Sequence, residues 1–229
     1  MTAHPDDVDF GSAGTIAAFT SAGVDVTYCI VTNGDAGGSD RAMPRADMAS
    51  LRQDEQRAAA AVVGVSDVRF LGHPDGMVQA TPELRRDISR VIRQVRPERV
   101  VTQSPERNWD FIFASHPDHM AAGEAAVCAV YPDARNPFAH PELLDDEGLE
   151  PWSVSELWIM APREQGATIA VDTTATVARK VAALMCHKSQ LGDPDAIAER
   201  VLAMARAQGE VAGLPEGASA ELFRVTRIP

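Results

Sequence analysis

The sequence predicts an α/β fold: a Rossmann-like, mostly parallel sheet with helices on both faces, arranged as a three-layer sandwich. Three observations point to it. Short apolar runs such as TYCIVT, VRFL and RVVT alternate with longer helical stretches, which is the pattern of βαβ units. The runs are apolar enough to be covered by helices on both sides. Each ends in a loop rich in Gly, Asn, Asp or Pro, where a chain leaves a sheet for its next helix.

In order, GSAGTIAAFTSAG reads as a helix of small and apolar residues, able to pack close to a sheet. VDVTYCIVTNGDAGG gives a strand running into a loop. RADMASLRQDEQRAAAAVVGV is an amphipathic helix stopped by Gly64, and VRFLGHPDG is the next strand and loop. TPELRRDISRVIRQVRPE is a helix with Thr81 as N-cap, Pro82 in the first turn and Glu83 just inside it. RVVTQSP is a third strand, and HPDHMAAGEAAVCAV opens a fourth helix.

A polar, Pro-rich excursion follows. SELWIMAP and TIAVD are strand candidates, TATVARKVAALMCHKSQ and DAIAERVLAMARAQ are helices, and ELFRVTRI is a closing strand. No internal repeat interrupts this order, so residues 1–229 are expected to form one domain, with 133–152 a candidate lid or specificity insertion. Such sheets bind ligands at the carboxyl ends of their strands. Asn33, Gly34, Asp35, Asp75, Ser104 and Pro105 fall there.

Composition narrows the partners. Apolar residues make up 45% of the chain and charged residues 24%, ordinary for a globular domain with a sizeable core. A net charge of −12 argues against a nucleic-acid groove or an anionic membrane surface as partner. Cys29, Cys128 and Cys186 are far apart and in apolar surroundings, as buried thiols of a reducing compartment are. No apolar run has the length of a membrane span and no signal peptide opens the chain, so the cytoplasm is expected. Self-association into a homo-oligomer is left open.

Two segments carry the chemistry. AHPDD contains His4, Asp6 and Asp7, and SHPDH contains His116, Asp118 and His119. Adjacent carboxylates repel unless something positive lies beside them. If Pro117 opens a helix, His116 lies at its lip and His119 on the same side one turn on. Metal sites of the catalytic kind use three His or carboxylate ligands with a further position open. The two segments together supply such a set and leave an imidazole and carboxylates for proton transfer. His73 reads as a loop residue near the pocket, His140 as a surface turn and His187 as a semi-buried helical histidine.

The chain resembles the zinc-dependent de-N-acetylases of the PIG-L (LmbE-like) family. Besides AHPDD and HPDH, the resemblance takes in TNGDAGG, LRQDEQRAAAAVVGV, LGHPDG, IRQVRPERVVTQSP and KVAALMCHKSQ. It implies that His4, Asp7 and His119 are ligands to zinc, with iron(II) or another divalent ion as alternatives. It implies that Asp6 is the general base, that His116 stabilises the oxyanion or donates a proton, and that Asp118 orients His116. Arg52 and Asp75 match positions that contact the sugar in relatives. In the family an apolar strand usually precedes the first motif and a Glu often follows it. Here only Met1, Thr2 and Ala3 precede it, and Val8 stands in the Glu position. The first strand is therefore either missing or replaced by a different construction of the sheet. Some relatives carry a tyrosine where this chain has Ala114.

The expected activity is removal of an N-acetyl or related N-acyl group from a small molecule or glycoconjugate containing N-acetylglucosamine. The alternatives are an amidase acting on a thiol-sugar conjugate and a non-catalytic sugar-binding member of the fold. A two-metal phosphoesterase would need more ligands than the two segments offer. A nicotinamide enzyme would need the absent GxGxxG.

Overall fold

Neighbouring residues of the first strand enter different cores. Val31 packs with Leu84, Ile88, Ile92 and Ala125, whereas Tyr28 and Ile30 pack with Ile16, Ala59, Ala60 and Ala183. A strand whose side chains alternate between two apolar layers lies in the middle of a three-layer sandwich. The computed structural model describes residues 1–38, 40–160 and 166–229. The helices are α1 (Asp7–Ser21), α2 (Arg45–Val62), α3 (Pro82–Val95), α4 (Pro117–Cys128), α5 (Glu142–Asp145), α6 (Val177–Leu184) and α7 (Pro194–Val211). The strands are β1 (Thr27–Thr32), β2 (Asp67–His73), β3 (Arg99–Gln103), β4 (Glu156–Met160), β5 (Ile169–Asp172) and β6 (Ala220–Arg227).

Local chemistry accounts for the boundaries. Thr81 Oγ1 accepts the Leu84 N–H at 3.3 Å and caps α3, with Pro82 at its first position. Gly64, at φ +85°, follows the end of α2. The helix expected from Gly11 already begins at Asp7, because Asp6 O accepts from both Asp9 N and Phe10 N. Of the SELWIMAP run, Glu156–Met160 forms β4, and residues 161 and 162 lie outside the described residues.

β1 pairs with β2 and β3 with β4, both parallel. β6 lies between β4 and β5 and is antiparallel to both. The parallel expectation thus holds for the half that carries the first motifs and gives way at the C-terminal end. Two helices, α6 and α7, join β5 to β6. Such a pair returns the chain to the end it left, whereas one crossover helix would have kept the strands parallel.

Met1, Thr2 and Ala3 take the strand position between β1 and β3. Thr2 N donates to Cys29 O, and Thr2 O accepts from Val31 N, at 3.1 and 2.9 Å. The Met1 ammonium donates to Val101 O at 2.7 Å, and Ala3 N to Gln103 Oε1 at 2.8 Å. A cleft of about 730 Å³ lies beside these residues, with Ile16, Phe19 and Val95 among its walls. Met1, Thr2 and Ala3 thus continue the sheet at the first motif and aim His4 out of its carboxyl end.

The excursion at 133–152 is tied down along α3. Arg93, 1% exposed, donates to the carbonyls of Asp133, Ala134, Asn136, Ala139 and Leu149. Leu143 is fully buried within it. Cys29 is buried as expected, but Cys128 and Cys186 are only partly so, and all three are free thiols. Among the described residues no helix is long and apolar enough to cross a membrane.

Candidate active site

His4 emerges from the sheet between two sets of carboxylates. Its backbone N–H donates to Asp7 Oδ2 at 2.7 Å, and its ring Nδ1 lies 3.3 Å from the same oxygen. Its Nε2 lies 3.1 Å from Asp75 Oδ1 and 3.2 Å from Asp118 Oδ2. The other oxygen of Asp7 is 3.0 Å from His119 Nε2. Asp7 therefore spans His4 and His119, and the three form one contact group.

The second segment is placed by the start of α4. His116 caps that helix: its Nδ1 accepts the Asp118 N–H at 3.2 Å. The rings of His4, His116 and His119 form a triangle with centroids 5.1, 5.1 and 5.2 Å apart. The Asp118 carboxylate takes the N–H groups of Gly76 and Val78 and faces His4. Asp118 meets the His116 ring through its backbone amide, while its carboxylate faces His4.

Asp6 has φ +84°, a left-handed conformation that costs a non-glycine residue ~1–3 kcal/mol. Arg52 holds it from one side. Arg52 Nη2 donates to Pro5 O at 2.7 Å and to Asp6 Oδ2 at 3.2 Å, and Nη1 donates to Gly34 O at 2.9 Å. The guanidinium needs room that only glycine leaves. A Cβ on Gly34 would stand 2.6 Å from Nη1, and one on Gly37 2.4 Å from it. That is the physical content of the TNGDAGG run. Asp75, anchored by Ala36 N at 2.8 Å, closes the same wall. Arg52 and Asp75 are thus both placed beside the motif residues.

Charge is strongly unbalanced in this pocket. Burial would lower the His4 pKa, but its hydrogen bonds to Asp7 and Asp75 outweigh that and push it up to about 10. Burial and then the charge of Asp7 raise the Asp6 carboxyl to about 7, against the pull of Arg52. For Asp7 burial acts upward, yet hydrogen bonds from His119 and His4 hold it well below the usual carboxylate range. Asp75 is lowered too, its bonds from His4 and Ala36 outweighing burial. Burial, then the neighbouring His4 and His119, lower the His116 pKa.

Burial and contacts separate the other histidines from this group. His73 pairs with Asp87 at 3.1 Å and His140 with Asp133 at 3.5 Å. His187 is fully buried rather than semi-buried, and pairs with Asp9 at 2.9 Å. Sequence reasoning passed over Gln56 and Asp9. Gln56 Oε1 accepts the Asp6 N–H at 2.8 Å, and its Nε2 donates to Asp9 Oδ2 at 2.8 Å. A signal existed: Arg52 and Gln56 lie four apart on α2, so two long polar side chains share its buried face.

The donor set fits a divalent cation. Ligand atoms of His4, His116 and His119 lie within 4.8 Å of one another, as do those of His4, Asp75 and Asp118. Four carboxylates, Asp6, Asp7, Asp75 and Asp118, meet one fixed guanidinium, and His4 has to take up a proton to balance them. A cation would relieve that need. The N-termini of α1 and α4 both open here, which favours negative charge developing on a bound group.

An open α/β sheet with such an imidazole–carboxylate centre at its strand ends defines a class of enzymes with a metal-type site. The chain belongs to the PIG-L family, whose model, described as GlcNAc-PI de-N-acetylase, matches residues 1–130. It is 31% identical to the diacetylchitobiose deacetylase of Thermococcus kodakarensis over 82% of this chain and 67% of that protein. It is 28% identical to a 1D-myo-inositol 2-acetamido-2-deoxy-alpha-D-glucopyranoside deacetylase of Catenulispora acidiphila, over 82% of this chain and 78% of that one. A structure of N,N'-diacetylchitobiose deacetylase from Pyrococcus horikoshii superposes with a TM-score of 0.87 and 28% identity, covering 98% of this chain and 81% of the other. The chain thus spans about two thirds to four fifths of the length of these relatives.

Proposed function

We infer that the protein is a metal-dependent hydrolase that removes the N-acetyl group from a small sugar or glycoconjugate containing N-acetylglucosamine. The observation that carries this reading is the contact group His4–Asp7–His119 with Asp6 beside it at the strand ends. The relatives' names supply the substrate class. The free cysteines fit a reducing compartment such as the cytoplasm.

His4, Asp7 and His119 would hold the cation, zinc first and iron(II) or another divalent ion as alternatives. Bound there, it would supply Lewis acidity and ease the ionisation of water. Asp6 is the base. Its carboxyl, raised to about 7 in the protein alone, accepts a water proton near neutral pH. The oxygen adds to the acetyl carbonyl, the C–N bond breaks, and acetate leaves. Asp6 returns its proton to the departing amine.

His116 acts as a neutral donor. Its Nδ1 accepts the Asp118 amide hydrogen, so its ring proton lies on Nε2, facing away from the cap and free to bond the oxyanion. Arg52 and Asp75, next to Asp6 and His4, orient the sugar.

The test is metal content of purified protein together with acetate release from diacetylchitobiose, acetamido-deoxyglucosyl inositol and related conjugates, before and after chelation. About one metal per chain with chelator-sensitive acetate release is the expected result. Metal without acetate from any substrate would turn attention to the amidase reading, and absence of metal would overturn the ligand set.

A further inference from the structure

Asp6 is held from behind by a buried polar chain. Its N–H donates to Gln56 Oε1 at 2.8 Å, Gln56 Nε2 donates to Asp9 Oδ2 at 2.8 Å, and His187 Nε2 lies 2.9 Å from that same oxygen. Gln56, Asp9 and His187 are all fully buried. The chain links three distant parts of the sequence: the loop after Ala3, the middle of α2 and the turn after α6.

Chemistry fixes its direction. A peptide N–H only donates, so the amide oxygen of Gln56 must face Asp6. Its nitrogen then donates to Asp9 Oδ2, and His187 Nε2 lies 2.9 Å from the same oxygen. The Gln56 amide therefore has one orientation. Arg52 and Gln56, one helical turn apart, grip two sides of the same turn: Arg52 takes the Pro5 carbonyl and Gln56 takes the Asp6 amide. A non-glycine residue stays at φ +84° only where its surroundings over-determine it.

We propose that Gln56, oriented by Asp9 and His187, is a positioning residue that fixes the left-handed backbone of Asp6 and thereby aims its carboxylate at the attacking water. The proposal rests on the reading of Asp6 as base. Gln56 touches neither substrate nor water. Its contribution passes through one peptide group.

The test is Gln56→Met, which keeps the side-chain length and removes both hydrogen bonds. Metal content and KM should stay at the native level, while kcat falls on the order of 10²-fold, the loss expected when a reacting group is misplaced by about an ångström. Gln56→Glu keeps an acceptor for the Asp6 amide and should retain more of kcat than Gln56→Met. In an Asp6→Asn background, Gln56→Met should cost nothing further, because the group it aims is already gone.

Loss of metal, a rise in KM, or an equal further loss on top of Asp6→Asn would give Gln56 a general structural role and overturn the proposal. If Gln56→Met does not fold, the Gln56→Glu variant decides alone: native KM and metal with reduced kcat only in the presence of Asp6 supports it, and any other pattern overturns it. An Asp6→Asn enzyme with full turnover would overturn the base assignment itself, and this proposal with it.

Discussion

His4 Nε2 lies 3.2 Å from Asp118 Oδ2, and two backbone amides, those of Gly76 and Val78, hold that carboxylate in place. The ring of His4 is therefore locked with Nδ1 on the Asp7 side. A carboxylate behind a ligating imidazole fixes its tautomer and strengthens it as a ligand. Asp118→Asn should weaken metal affinity by roughly 10–100-fold without abolishing binding, as read by titration against a competing chelator. Unchanged affinity with reduced turnover would instead tie Asp118 to His116.

The two adjacent carboxylates of the first motif should separate cleanly on mutation. Asp7 touches both His4 and His119, whereas Asp6 is bonded to Arg52. Asp6→Asn should keep the metal and lose about 10²–10⁴-fold in kcat, the usual worth of a general base. His119→Ala should lose the metal as well. Elemental analysis beside acetate release distinguishes the two, and an active Asp6→Asn variant would refute the division of roles.

Metal binding should displace a proton from His4. In the protein alone its pKa is raised to about 10 from an ordinary 6.5. A raised pKa means stability that is fully present below about 6.5 and lost as pH climbs through 10. The metal-free protein should therefore lose stability over that window, by at most ~1.4 kcal/mol per pH unit. Chelated and loaded samples, melted from pH 6 to 10, should show a steeper decline for the chelated one. Calorimetry at pH 8 should show proton release on loading; none would mean that His4 is not a ligand.

Much of this site was legible because its signals are local. His4–Asp7 and His116–His119 each declare themselves within a few residues, and the Thr81–Pro82 cap of α3 is a contiguous pattern. What stayed hidden joins distant parts of the chain. Gln56 meets Asp9 across 47 residues and His187 meets Asp9 across 178, and no spacing rule connects them. The Asp118 carboxylate likewise meets the loop amides of Gly76 and Val78 across 42 and 40 residues, and lies beside His4 across 114. The antiparallel β6 was hidden for another reason. An apolar strand reads the same in either direction, and only the helix pair before it decides which way it runs.

Gly37→Ala should damage the site without touching any residue of AHPDD or SHPDH. Its Cβ would stand 2.4 Å from Arg52 Nη1 and 2.6 Å from Gln190 Oε1. Arg52 cannot simply swing away, because it is 4% exposed and bonded to Pro5, Asp6 and Gly34. Displacing it frees Asp6 from the guanidinium that pairs with it at 3.2 Å. An overpacked buried site costs ~1–3 kcal/mol, so kcat/KM should fall by roughly 10-fold or more while metal content is kept. A fully active Gly37→Ala enzyme would show that Arg52 has more freedom than its bonds imply.

The excursion at 133–152 should behave as part of the core rather than as a moving lid. Arg93 is buried and is bonded to five carbonyls drawn from Asp133 to Leu149, so a lid motion of that stretch would have to break several of these at once. Arg93→Met keeps the apolar stem and removes every donor. Each buried acceptor left unpaired costs ~1–3 kcal/mol; if water reaches about half of them, ~3–5 kcal/mol is lost. For a chain of this size that lowers Tm by about 6–20 °C. The site is built from other elements, so metal content should survive at low temperature. A small change in Tm accompanied by altered substrate preference would mean that the excursion moves over the pocket after all.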